Sequence, residues 1–265
     1  MTILVQREFR VAPAHRAEFE RQSREGLWPT FLEFGARMLA YGRWEFGTND
    51  AAVVTHTAFE DLAHWEATRP ETPNGRGALH DDSFVAPLVA PFIARYAARG
   101  DLVTGVESRL VEVDDEVSDL GVFYRRPGTP AAALPPTFGL GSVVSERTYL
   151  LRPGTMPEFR RLSMQVWPWL EQQGGRLVAF GQDPLHTSDE VLTLFAFRSL
   201  ADWHRLSRPR ADLDPPADVV QAWNQRAGLI LSNQGRLLTV LTDFGAPVPA
   251  IATVPPERAK APLTS

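Results

Sequence analysis

The chain has no cysteine, which excludes a disulfide, a thiolate nucleophile and a cysteine-ligated metal. It has no apolar run near the roughly 20 residues that span a bilayer. Its first residues lead directly into a strand pattern, so the expectation is a cytoplasmic protein with no membrane partner. It has no excess of positive charge: 27 Lys and Arg face 32 Asp and Glu, a net charge of −5. The arginines, which far outnumber the lysines, are scattered among carboxylates. Neutralising phosphates needs clustered cations, so nucleic acid is excluded as a partner. No Gly-rich phosphate loop sits between a strand and a helix, and Gly139-x-Gly141 alone does not make one. No nucleophilic triad signature occurs. His80-Asp81-Asp82 lacks both the spacing and the further ligands of a metal site and reads as a solvated loop. The expectation is a protein with no metal, haem or nucleotide cofactor.

What is present is a repeat. Arg7, Pro13, Glu18, Phe19, Arg21 and Ser23 recur 140 positions later as Arg147, Pro153, Glu158, Phe159, Arg161 and Ser163. After a one-residue deletion, Trp28-Pro29, Gly35, Arg37, Ala40 and Gly42 match Trp167-Pro168, Gly174, Arg176, Ala179 and Gly181. After another, Phe59, Leu62, Ala63 and Trp65 match Phe197, Leu200, Ala201 and Trp203. A chain of 265 residues holding such a period is a tandem duplication of two ordinary domains. At 44% hydrophobic and 22% charged it has the composition of a soluble globular protein.

Residues 3–11 read as a strand ending at Pro13. Phe19, Ser23, Leu27 and Phe31 share the face of a helix over 14–34. Pro29 and Pro168 predict a kink in the helix of each copy, and Gly35 and Gly174-Gly175 its C-terminal cap. Residues 36–44 and 52–59 form a hairpin, with a short helix at 60–69 that turns Leu62 and Trp65 inward. A Pro- and Gly-rich loop, a helix near 84–98 and a strand at 103–113 follow. The second copy ends with a helix at 216–228 and a strand at 235–243. The expected domains are therefore 1–113 and 144–244, each strand–helix–strand–strand–helix–strand plus one helix. They are joined by a linker at 114–143 with an extra strand at 120–124, and a Pro-rich tail covers 245–265.

ERTYLLRPG, PEF, a proline within the following helix, GGRLVAF and SLADW resemble the NIPSNAP-type domains of the dimeric α/β barrel superfamily, which includes antibiotic biosynthesis monooxygenases. The match covers nearly all of 145–243 and, more loosely, 4–113. The resemblance implies an α+β fold: two ferredoxin-like repeats whose sheets close a barrel, here within one chain. A four-stranded sheet covered by helices on one face needs a partner for the other. The expected particle is a monomer that closes its own barrel, with a homodimer as the alternative.

The chemical candidates are few. Arg7 and Arg147 sit mid-strand at matching positions and suit either an anion clamp or an ion pair with a carboxylate. His64-Trp65-Glu66 and Asp202-Trp203-His204 place residues two apart on a helix, which do not face each other. If the hairpin pairs about Thr48, Ala40, Gly42 and Trp44 share a face with Val54, His56 and Ala58. The second copy has Leu194, Phe180 and Asp183 where the first has His56, Tyr41 and Trp44. Ala40 and Gly42 then leave room beside His56, and imidazole is the usual neutral-pH acid/base group. Tyr41 falls on the opposite face. The expected site lies in the N-terminal half: His56, Tyr41 and Arg7 as catalytic groups, with Trp28, Trp44 and Trp65 as walls. The leading function is an enzyme, without metal or nucleotide cofactor, that oxygenates, cyclises or isomerises an apolar or aromatic metabolite. A non-catalytic binding or assembly protein and a haem protein using His204 are the alternatives.

Overall fold

The structure is a computed structural model that describes residues 1–33, 35–46, 52–67, 94–120, 140–207 and 213–241. The first half runs β1 (Ile3–Val11), α1 (Arg16–Gln22), α2 (Trp28–Glu33), β2 (Arg37–Trp44), β3 (Ala52–Phe59), α3 (Leu62–Ala67), α4 (94–100) and β4 (Val103–Val113). The second runs β5 (Val143–Leu151), α5 (Met156–Gln172), β6 (Arg176–Gln182), β7 (Glu190–Phe197), α6 (Leu200–Leu206), α7 (Ala217–Gly228) and β8 (Ile230–Val240). The strands form one closed antiparallel ring, β1-β3-β2-β8-β5-β7-β6-β4. Each half is ferredoxin-like, and the two close an intramolecular barrel, as the repeat requires.

Alternation along each strand separates three cores. Ile3, Val5, Phe9 and Tyr41 face the helices of the first half, while Tyr149, Leu177, Phe180 and Val191 face those of the second. Leu4, Ala40, Val54 and Ala58 pack in the lumen against Val144, Ala179, Leu192, Leu194 and Leu238. The hairpin register, Ala40↔His56 and Gly42↔Val54, turns about residue 48, and the turn itself lies outside the described residues.

The halves meet at two short seams. Gly42, Arg43 and Trp44 pair with Val240, Thr239 and Leu238; Glu112 and Val113 pair with Gln182 and Gly181. A Cβ at Gly42 would lie 2.2 Å from the Thr239 carbonyl oxygen, and one at Gly181 2.2 Å from that of Glu112. Beyond the seams the remainder of β4 and β8 pairs on one side only, with β1 and β5. The barrel is thus tight at one end and open at the other. At the tight end residues 114–120 dock on β6: Ser118 Oγ accepts from the Phe180 amide at 3.0 Å, and Leu120 enters the lumen core.

Several expectations change. Leu62 is exposed rather than inward; only Trp65 reaches the core, because one turn of a six-residue helix has one buried edge. α5 continues through Pro168 to Gln172. The first-half helix instead widens into a π turn at Ser23–Leu27, where Trp28 N–H donates to Ser23 one residue further back than in an α-helix. β8 starts at Ile230, not 235, since its exposed first half is held by pairing with β5. Of the helix near 84–98 the structure describes 94–100. The Pro- and Gly-rich loop, His80-Asp81-Asp82, residues 121–124 of the expected extra strand, most of the linker and the tail lie outside the described residues.

The seam glycines generate a test. Gly42→Ala and Gly181→Ala should each destabilise the fold by about 1–3 kcal/mol, the cost of overpacking a site with no slack. Gly100→Ala, with nothing within 4 Å of the new carbon, should leave the denaturation midpoint unchanged.

Candidate functional site

Two polar constellations stand on opposite faces of β5. Inside the barrel, Glu146 is almost fully buried and accepts from Gln6 Nε2 and, at 2.7 Å, from Arg236 Nη2. Gln6 Nε2 also donates to His56 Nε2 at 2.9 Å. An amide nitrogen facing both a carboxylate and an imidazole nitrogen must be the donor to each. His56 is therefore neutral, with its proton on Nδ1. The Arg236 guanidinium carbon lies 3.9 Å from the Trp44 ring centroid. Glu8 closes this group, accepting from Trp44 Nε1 at 2.7 Å and from Arg236 Nη1 at 3.4 Å. Arg109, at the position matching Arg236 in the other half, donates to Asp183 at 3.2 Å, Thr148 at 3.0 Å and Glu190 at 2.7 Å. Of these groups, Gln6, Glu8, Arg109, Asp183, Glu190 and Arg236 line a cavity of about 480 Å³ at the open end of the barrel.

On the outer face, α5, α6 and α7 cover a pocket of about 360 Å³. Its walls include Tyr149, Trp167, Phe195, Phe197, Trp203 and Trp223. Arg226 is buried in this aromatic box, 4.8 Å from the Phe159 ring centroid and 5.3 Å from that of Tyr149. It donates to Tyr149 Oη at 3.0 Å. Burial, and then the charge of Arg147, hold its pKa below the ordinary value. Arg147 itself lines the pocket and has no carboxylate within ion-pair distance among the described residues. The Trp203 indole N–H is buried without an acceptor among the described residues.

The first half repeats the arrangement with Arg99 of α4, 4.9 Å from the Phe9 ring centroid and 5.0 Å from that of Phe19. Burial lowers the Arg99 pKa to about 10, which still leaves it charged at neutral pH. The associated cleft is smaller, about 250 Å³.

The residues singled out from sequence do not converge on one cavity. Tyr41, Trp28, Trp65 and Arg7 belong to the helix-facing side. Trp28 packs edge-on to Tyr41 at 5.3 Å, burial raises the Tyr41 pKa, and Arg7 lies close enough to Arg99 to lower its pKa. His56 and Trp44 face the lumen. The expected room beside His56 is absent: Gly42 is filled by the backbone of β8 and Ala40 is buried in the lumen core. Gln6 stands between His56 and the cavity. His204 is exposed on α6 and does not line the helix–sheet pocket. Sequence reading missed Arg99 and Arg226, although Arg99 and Arg109 recur with one shared offset as Arg226 and Arg236.

No protein-family model matches the chain, and no curated protein matches it. Solved structures do. A "putative monooxygenase" from Lactobacillus acidophilus NCFM superposes with a TM-score of 0.58 at 10% identity, over 92% of this chain and 97% of the other. One from Fusobacterium nucleatum gives 0.58 at 12% identity, over 92% and 95%. A NIPSNAP family protein from Agrobacterium tumefaciens, 22% identical, matches over 40% of this chain and 98% of its own, with a TM-score of 0.32. The two monooxygenase-named structures share the fold of this chain, two ferredoxin-like halves closing one barrel.

His56 yields a pH prediction. Burial, opposed by Glu146, lowers its pKa from 6.5 to about 4. The unfolded chain then binds the extra proton first as pH falls. The folded state loses up to about 3 kcal/mol between pH 6.5 and 4 through this group. His56→Gln should flatten the melting temperature over that window; an unchanged acid slope would show that other groups carry it.

Proposed function

We propose that the protein is an oxygenase-type enzyme that acts on a planar aromatic small molecule bearing an acidic oxygen, in the pocket between the second sheet and its helices. The observation that carries this reading is Arg147. It is a cation facing an aromatic cavity beside a second guanidinium, with no carboxylate to neutralise it among the described residues. A phenolate or enolate supplies the missing negative charge. Tyr149, Trp203 and Trp223 offer ring faces and edges to a flat substrate. The Trp203 N–H, without an acceptor among the described residues, offers a hydrogen bond to a ligand.

The arrangement bears directly on reactivity. Fixed donors and cations in a water-poor site stabilise an oxyanion far better than water-exposed ones. Stabilising the enolate or phenolate favours loss of a proton from an adjacent activated carbon and leaves that carbon electron-rich. Oxidation of such a CH₂ group by O₂ gives a ketone and one water, the substrate supplying all four electrons. The fold shared with the two monooxygenase-named structures supports this reaction class. The assignment of Arg147, Arg226 and Trp203 rests on the geometry alone.

The test is binding and oxygen consumption with a panel of hydroxylated polycyclic aromatics, read by quenching of tryptophan fluorescence and by an oxygen electrode. Arg147→Leu should weaken binding of the anionic ligand about 10- to 100-fold, the loss of one charge-assisted hydrogen bond. Trp203→Phe keeps the ring and should cost several-fold. If turnover survives Arg147→Leu but vanishes in His56→Gln, the chemistry belongs to the lumen. If no aromatic ligand binds, the reading fails.

A further inference from the structure

The open end of the barrel is a second cavity, on the other face of the sheet, and nothing in the proposed reaction uses it. We propose that it binds a small aliphatic amine, a diamine or polyamine in its cationic form.

The first argument is charge. Glu8, Glu107, Asp183 and Glu190 line the cavity and Glu146 lies directly behind it, against two guanidiniums, Arg109 and Arg236. Arg10 pairs with Glu107, and His186 lies against Asp183 and Glu190, yet five carboxylates still face three guanidiniums; the excess is acidic, and Arg109 and Arg236 already bridge two carboxylates each. An anion would have to compete with carboxylates that the fold holds in place. A cation instead meets a net negative lining, in which it shares each carboxylate with a side chain already paired to it. A metal ion fits poorly, because no group of three metal-ligating side chains converges among the described residues.

The second argument is independent of the acids. Gln6 is 5% exposed and lines the cavity. Its amide nitrogen is committed to His56 and Glu146, while its carbonyl oxygen has no donor among the described residues. A nearly buried acceptor left open at the base of a cavity calls for a ligand N–H. Leu150 and Leu185 give the cavity an apolar side for methylene groups. Arg236 shows how the site holds a cation, with its charge over Trp44 and its N–H groups on Glu8 and Glu146.

Calorimetric titration of the whole protein with spermidine and with putrescine, at fixed ionic strength, tests this, with inorganic phosphate as the opposing probe. The expected result is saturable one-to-one binding of an amine and no binding of phosphate. Glu107 is exposed, so Glu107→Gln should fold normally and weaken the amine up to about fivefold, as expected for a partly exposed ion pair. Gln6→Leu should weaken it about tenfold or more; if that variant does not fold, Glu107→Gln decides alone. Several amines bound per chain, binding indifferent to Glu107→Gln, preference for phosphate, or no saturable binding would each overturn the proposal. Arg147→Leu should leave amine binding unchanged, which separates this site from the helix–sheet pocket.

Discussion

A β-sheet has two faces, and the helices of each half cover only one of them. Leu4, Val54 and Ala58 on one sheet and Leu192, Leu194 and Ala196 on the other would face water if the halves separated. Burying apolar surface at about 25 cal/mol per Å² makes that separation costly. Facing the two sheets, however, brings backbones together at the seams. Contact closer than a methyl group allows is possible there only because position 42 and its repeat at 181 are glycine. The closed ring then leaves one end of the lumen sealed by residues 114–120 and the other lined with charge.

At that charged end the two copies differ in charge. Glu146 occupies in the second copy the place Gln6 holds in the first, and the pair meets across the lumen as donor and acceptor. Were both glutamate, two carboxylates would face each other away from water, and one would have to be protonated. His56, opposite Gln6 on β3, accepts the second amide proton and is held neutral by burial. Leu194 replaces it in the second copy. His56 thus completes the Gln6–Glu146 contact between halves. A buried polar group of this kind is costly wherever a partner is missing.

How much of this is legible in the sequence follows the same division. The offset from Arg7 to Ser23, repeated intact, implies two like sheets, and the alternation of the hairpin correctly puts His56 and Trp44 on one face and Tyr41 on the other. The pocket is less legible for two reasons. Alternation tells which face a side chain is on but not what fills that face; Gly42 reads as free space and is occupied by β8. The repeat also becomes hard to follow between the short helix and the last strand, where the copies differ in length. Arg99 and Arg226 lie just past that interruption, so their correspondence is hidden although both sit in matching aromatic boxes.

The two cavities share one wall, and this limits how the copies can change. On β5, Arg147 and Tyr149 point to the helix–sheet pocket while Glu146 and Thr148 point into the lumen. A slip of one residue would exchange the two sets and place a guanidinium among the lumen leucines. Bulges between Met38 and Ala40 and between Leu177 and Ala179 fall at the same place in each copy, as do those after Arg10 and Leu150. Matched bulges fix the register on both sides of each sheet. With register fixed, a substitution on one face of β5 need not disturb the other, so one strand can supply an aromatic, cationic pocket and an acidic, polar one together.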